Sequence, residues 1–129
     1  LPPCHYAFQV YINNGVIDLM WQQRSADVFL GLPYDIAMYG LLLEMLAKGA
    51  DLRAGQLIGQ LGDCHLYNNH LQQAKQYRLR SKRALPKLQL ERGINANLLG
   101  GVNIPDASEI KLLKYNPYPA IKAELSVGK

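Results

Sequence analysis

Apolar and polar residues alternate from Tyr6 to Ile12, with Phe8, Val10 and Ile12 on one face and Gln9 and Tyr11 on the other. That period of two predicts a strand. Asn13-Asn14-Gly15 follows, and Asn-Gly tolerates the positive φ angles of a type I′ hairpin turn. Val16 to Trp21 returns as the second strand and carries Gln23-Arg24-Ser25 at its end. The hairpin therefore brings Arg24 back towards the level of Cys4. From Tyr34 to about Lys48 the pattern changes: Ile36, Ala37, Met38, Tyr39, Leu41, Leu42, Leu43, Met45, Leu46 and Ala47 predict a helix that is apolar almost all round. Such a helix is expected to be central and buried, with Gly49 as its left-handed stop.

Further on, Gln56 to Cys64 predicts a strand and Tyr67 to about Arg78 a more polar helix. Lys87 to Leu90 and Ile110 to Leu113 predict two more strands. Gly93 to Ser108, with its Gly, Asn and Pro, predicts a loop. No repeat or low-complexity tract interrupts the chain. Its 129 residues suit one domain, 1–129, large enough to bury a core.

Composition changes this picture little. The chain is 49% hydrophobic and 19% charged, an ordinary globular mixture. No apolar run reaches the roughly 18 residues of a membrane span, and no signal peptide is visible. Two cysteines make no disulfide framework and read as thiols of a reducing, cytoplasmic setting. The net charge of +4 suits an anionic ligand without choosing among nucleotides, folates and nucleic acid.

The candidate chemistry sits at the ends of the predicted strands. Arg24 and Ser25 suit a phosphate, since one gives a planar fork of donors and the other a hydroxyl; the plainer reading pairs Arg24 with Asp27 on the surface. Cys4 reads as a nucleophile or as a small buried hydrophobe. Asp27 and Gly31 are also ordinary turn residues, and Asp35 suits a helix cap. His65 and Tyr67, two apart, share a face; a packed pair is the simpler reading. His5 and His70 read as packing residues. Cys64, His65 and His70 lack a four-ligand metal spacing. The basic run Lys75, Arg78, Arg80, Lys82, Arg83, Lys87 reads as a solvated face. It has no aromatic interleaving for nucleic acid, which is not an expected partner.

Five ordered stretches carry a family resemblance. Leu1-Pro2-Pro3-Cys4-His5, Gln23-Arg24-Ser25-Ala26-Asp27-Val28-Phe29-Leu30-Gly31-Leu32-Pro33-Tyr34-Asp35, Gly62-Asp63-Cys64-His65-Leu66-Tyr67-Asn68-Asn69-His70, Leu85-Pro86-Lys87-Leu88 and Tyr115-Asn116-Pro117-Tyr118-Pro119-Ala120-Ile121-Lys122 together resemble the thymidylate synthase family. The resemblance implies an α+β fold, a mixed β-sheet packed on a central buried helix, and a homodimer. It implies one-carbon transfer from 5,10-methylenetetrahydrofolate to C5 of a pyrimidine deoxynucleotide, with Cys4 as nucleophile and Arg24 as its cation. A cation favours the reactive thiolate. Gln23, Arg24, Ser25, Ala26, Asp27, Asp35, His65, Leu66 and Tyr67 would bind the nucleotide, and Asp27, Gly31 and Ser126 the folate. Arg80 and Arg83 fall where the family has arginines, implying an active-site or dimer role.

One position departs from the pattern. The family's Asn is Asp35 here, and a carboxylate offers acceptors only. That favours the amino group of dCMP over the O4 of dUMP, as in the deoxycytidylate hydroxymethylases of the same fold. The alternative is an ordinary thymidylate synthase acting on dUMP, with Asp35 a helix cap. A non-catalytic fragment that dimerises or binds RNA is the rival class, because the resemblance implies a comparable length of chain ahead of Cys4. Ser126-Val127 matches the family's closing tail, but Gly128-Lys129 extends past it, which bears on methyl against hydroxymethyl formation.

Overall fold

The computed structural model describes residues 2–96 and 101–126. Strands β1 (His5–Asn13) and β2 (Val16–Asp27) form the expected antiparallel hairpin. Its turn has φ of 48° at Asn14 and 75° at Gly15, the two positive angles a type I′ turn requires. Helix α1 (Leu32–Gly49) then crosses the sheet and returns the chain to β3 (Arg53–His65), which pairs with β2 in parallel. The main sheet has the order β1-β2-β3. A 3₁₀ turn (Asn68–His70) leads into helix α2 (Leu71–Arg78), so the predicted second helix opens more tightly than expected. Strands β4 (Lys87–Leu90) and β7 (Ile110–Leu113) pair antiparallel, within the predicted bounds.

The core lies between β2 and α1. Alternate residues Ile17, Leu19 and Trp21 of β2 meet Tyr39, Leu43 and Ala47 of α1, a four-residue spacing that places all three on one helix face. The rings of Trp21 and Tyr39 stack at 5.0 Å between centroids. Leu57 and Leu61 of β3 pack against the same cluster.

Two expectations about α1 are corrected. It is buried along one face only, for Tyr34, Ile36 and Met38 are exposed. The same is true of Phe8, Val10 and Ile12, which stand opposite Trp21, Leu19 and Ile17 in the hairpin register yet lie beyond the helix's cover. Gly49 is not the left-handed stop: Ala50 caps the helix at φ −98°, and the positive φ falls on Asp51. A side chain at Gly49 would instead run into the Ile94 carbonyl, because Gly93 and Ile94 pack against the helix end. Ile94 N–H donates to Met45 O there, at 3.0 Å.

The predicted loop 93–108 is also more structured than its composition suggests. It contains β5 (Asn95–Ala96) and β6 (Val102–Asn103), paired antiparallel, and a 3₁₀ turn at Ala107–Glu109. Arg92 holds this region together. It donates from Nε to Glu109 Oε1 at 2.6 Å and from Nη2 to Glu109 Oε2 at 2.9 Å, and it also reaches Asn103 and the Ile104 carbonyl. No described helix is long and apolar enough to cross a membrane.

Candidate active site

The start of β1 and the carboxyl ends of β2 and β3 meet at one end of the sheet, because β1 runs antiparallel to β2 and β3 parallel to it. Topology thus gathers Cys4, Arg24, Ser25, Asp27, His65 and Tyr67 from distant parts of the chain. Arg24 N–H donates to Cys4 O at 2.9 Å. The Arg24 side chain turns to the same loop, donating from Nη2 to Pro2 O at 2.7 Å and from Nε to Pro3 O at 3.2 Å. The surface pair of Arg24 with Asp27 does not form. Cys4 is half-buried, and the guanidinium beside its loop stays exposed.

Ser25 stands opposite Asp63, Ala26 opposite Cys64 and Asp27 opposite His65. Ser25, Asp63, His65, Leu66, Tyr67 and Asn68 line a shallow depression of about 430 Å³. The His65 and Tyr67 rings meet edge-on at 4.8 Å, and His65 Nδ1 lies 3.4 Å from Asp63 Oδ2. Ala26 is fully buried. Asp27 makes a turn: its Oδ1 accepts from the N–H of Phe29 at 2.9 Å and of Leu30 at 3.2 Å. Its Oδ2 has no partner among the described residues. Gly31 N–H donates to Asp27 O, and a Cβ on Gly31 would stand 3.2 Å from that oxygen. Gly31, not Asp35, is the cap of α1.

Asp35 therefore has another task. Its Oδ2 accepts from Gln23 Nε2 at 2.9 Å, and its Oδ1 lies 3.3 Å from His5 Nε2. Gln23 is buried and its amide has one orientation open to it. The Trp21 indole N–H, which can only donate, points at Gln23 Oε1 at 3.1 Å. The NH₂ group must then face two acceptors, Asp35 and Ser25 O at 2.8 Å. Burial and the negative charge of Asp35 push the Tyr39 hydroxyl above its usual pKa.

His5 reaches Asp35 because of a bulge. From Ala7 to Asn13 the hairpin register would set residue 5 opposite Arg24, on the far face; an extra residue between His5 and Ala7 sets it opposite Gln23 instead. Nothing in the residue pattern marks this bulge, so the sequence points to no more than packing for His5. The Trp21 contact is hidden for a different reason, since a tryptophan in an alternating strand reads as core.

The C-terminal residues are strapped across the site's flank. Buried His70 holds Glu124 O through Nε2 at 2.7 Å, and Ser126 Oγ lies 2.7 Å from Asn69 Oδ1. Val127, Gly128 and Lys129 lie outside the described residues. Arg83 donates to Asn116 and Pro117, with its guanidinium 3.7 Å over the Tyr118 ring, and Arg80 donates to Pro119 O. Within this chain both arginines fasten the C-terminal segment.

The family model described as thymidylate synthase matches residues 1–127. Proteins named thymidylate synthase from Buchnera aphidicola subsp. Acyrthosiphon pisum, strains Tuc7 and APS, are each 45% identical over 133 residues, covering 98% of this chain and 46% of the relative. The protein of that name from strain 5A is 44% identical over the same span. The chain therefore spans about half the length of the curated relatives it matches, and it belongs to the thymidylate synthase family.

Proposed function

We propose that the protein transfers a one-carbon unit from 5,10-methylenetetrahydrofolate to C5 of a pyrimidine deoxynucleoside 5′-monophosphate. Cys4 adds to C6 and makes C5 nucleophilic, which is covalent catalysis of the general kind. Arg24 and Ser25 take the phosphate, and His65 and Tyr67 the sugar. Asp27, with one carboxylate oxygen to spare, Gly31 and Ser126 fit the folate. The protein works as a homodimer in the cytoplasm. The observation that carries this reading is the convergence of Cys4, Arg24 and Ser25 at one sheet end, where Arg24 bonds the loop of Cys4 through both backbone and side chain.

The relatives' name supports dUMP as substrate and a methyl product. One observation supports a second reading, dCMP: Asp35 does not cap α1 but bonds Gln23 and faces His5, the chain neighbours of Arg24 and Cys4. Tritium release from [5-³H]-dUMP and [5-³H]-dCMP with methylenetetrahydrofolate, on the complete protein, tests both readings. Release is expected and should vanish in Cys4→Ser. Release retained in that variant refutes the nucleophile, and release from dUMP alone refutes the second reading.

A further inference from the structure

We propose that buried His70 is a positioning residue for the folate: by holding Glu124 O it sets the C-terminal segment, and Ser126 with it, at a fixed distance from the turn at Asp27. The inference rests on the reading above, in which Asp27, Gly31 and Ser126 meet the folate. His70 is fully buried, and its Nε2 lies 2.7 Å from Glu124 O. A carbonyl only accepts, so the ring proton sits on Nε2 and is donated to Glu124. Nδ1 is then a lone-pair nitrogen, buried without a partner among the described residues. An unmet buried polar atom is costly. A residue that served packing alone would suit this position better as Phe or Leu, and what the imidazole adds over these is the donor to Glu124.

The placement shows what that donor does. The C-terminal segment is fastened in reverse order: Arg83 donates to Asn116 O and Pro117 O, Arg80 to Pro119 O, His70 to Glu124 O, and Ser126 Oγ meets Asn69 Oδ1. The arginine links lie at the far end, while His70 and Asn69, neighbours in the 3₁₀ turn, hold the last described residues. The Asn69 link is exposed and the His70 link half-buried, so water competes least with the latter. Two residues separate Glu124 from Ser126, no more than about 7 Å of chain, so a slip at the carbonyl passes on to Ser126. The ring also packs on the site. Its centroid lies 5.5 Å from that of Phe29, whose N–H donates to Asp27, and 5.9 Å from that of Tyr67. One imidazole thus packs on the turn that carries Asp27 and bonds the segment that carries Ser126. His70 is the spacer between two walls of the folate site and acts through them rather than on the folate.

The test uses the complete protein. Calorimetry reads the dissociation constants of dUMP, of dCMP and of tetrahydrofolate, which has the pterin but no carbon to give. Hydrogen exchange of the 119–126 peptide and tritium release are read beside them. His70→Phe keeps a buried ring and loses the donor. It is expected to speed exchange of that peptide and to weaken tetrahydrofolate about tenfold, with the nucleotides held within about twofold. His70→Gln, which brings an amide N–H to the same carbonyl, should hold tetrahydrofolate within about threefold of the wild type. Where His70→Phe does not fold, His70→Met makes the same comparison, and nitrogen NMR of the wild type must still show the His70 proton on Nε2. Unchanged folate binding in the variant without the donor, equal weakening of folate and nucleotide, a His70→Gln protein as weak as His70→Phe, or a proton on Nδ1 alone overturns the proposal. If the constants behave as expected but neither nucleotide releases tritium, the inference stands and the reaction does not. If the wild type binds no tetrahydrofolate, both fall.

Discussion

Gln23→Glu replaces one amide nitrogen by oxygen and inverts the chemistry around Asp35. The amide nitrogen of Gln23 donates twice, to Ser25 O at 2.8 Å and to Asp35 Oδ2 at 2.9 Å. A neutral bond of this kind is worth about 1 kcal/mol and one to a charged group about 1.5–3 kcal/mol, so about 3 kcal/mol is at stake before any charge is added. The new carboxylate then faces an old one at contact distance, and two unit charges at about 4 Å repel by about 4 kcal/mol at an effective dielectric constant of about 20. The pair will not bear that in full, because sharing a proton is cheaper. We expect a loss of about 3–5 kcal/mol at neutral pH. The loss should shrink as the pH falls, because the folded variant then binds a proton that the unfolded chain binds less readily. Gln23→Met, which removes the donors without adding charge, should cost about 1–3 kcal/mol with no such pH dependence. Urea unfolding of the complete protein and both variants, repeated over a pH series, measures these differences. A Gln23→Glu protein within about 0.5 kcal/mol of the wild type, or one whose deficit does not respond to pH, would refute the donor arrangement.

Two titrations follow. Arg92, donating to both oxygens of Glu109, and the Asp106 N–H hold that carboxyl below its usual 4.5. Its folded value lies below its unfolded one, so its contribution is present at neutral pH and lost as the pH falls below about 4.5; Glu109→Gln should flatten that limb of the urea midpoint. Burial first, and then Asp35, raise the Tyr39 hydroxyl above 10.0. Its contribution is complete below pH 10.0 and lost as the pH rises through the higher folded value. The phenolate missing from a Tyr39→Phe difference titration should therefore appear above pH 10.0, and its appearance below that would count against the packing of α1 on β2.

What the residue pattern makes legible is local. The hairpin with its Asn14-Gly15 turn, the strands β4 and β7, and the meeting of Cys4 with Arg24 all follow from alternation and turn chemistry. So does the shared face of His65 and Tyr67, whose rings do meet. What stays hidden depends on contacts between distant segments. Gly49 looks like a helix stop in sequence, but its lack of a side chain answers to the Ile94 carbonyl. An apolar sweep around α1 suggests burial on every side, whereas the helix covers β2 and β3 and leaves Tyr34, Ile36 and Met38 open. Asp35 stands out in the sequence as a departure, but its partners His5 and Gln23 become visible only once the bulge and the Trp21 contact are in place.

That bulge works as a parity switch. Along β1 each step of one residue exchanges the two faces of the sheet, so a side chain's face is an odd-or-even property counted from the turn at Asn14-Gly15. The extra residue near Tyr6 changes the count for everything before it, and His5 lands on the face of Gln23 and Asp35 while Phe8, Val10 and Ile12 keep theirs. Deleting that extra residue would set His5 next to Ala7 in plain alternation and leave it opposite Gln23, whereas losing one residue between the bulge and the turn would shorten the strand by only about 3.3 Å. With the bulge kept, that second loss would nonetheless send His5 through the sheet to the opposite side and carry the Cys4 loop round with it. Spacing errors in this hairpin are therefore digital: the site tolerates changes of residue type along β1 far better than a change in their number.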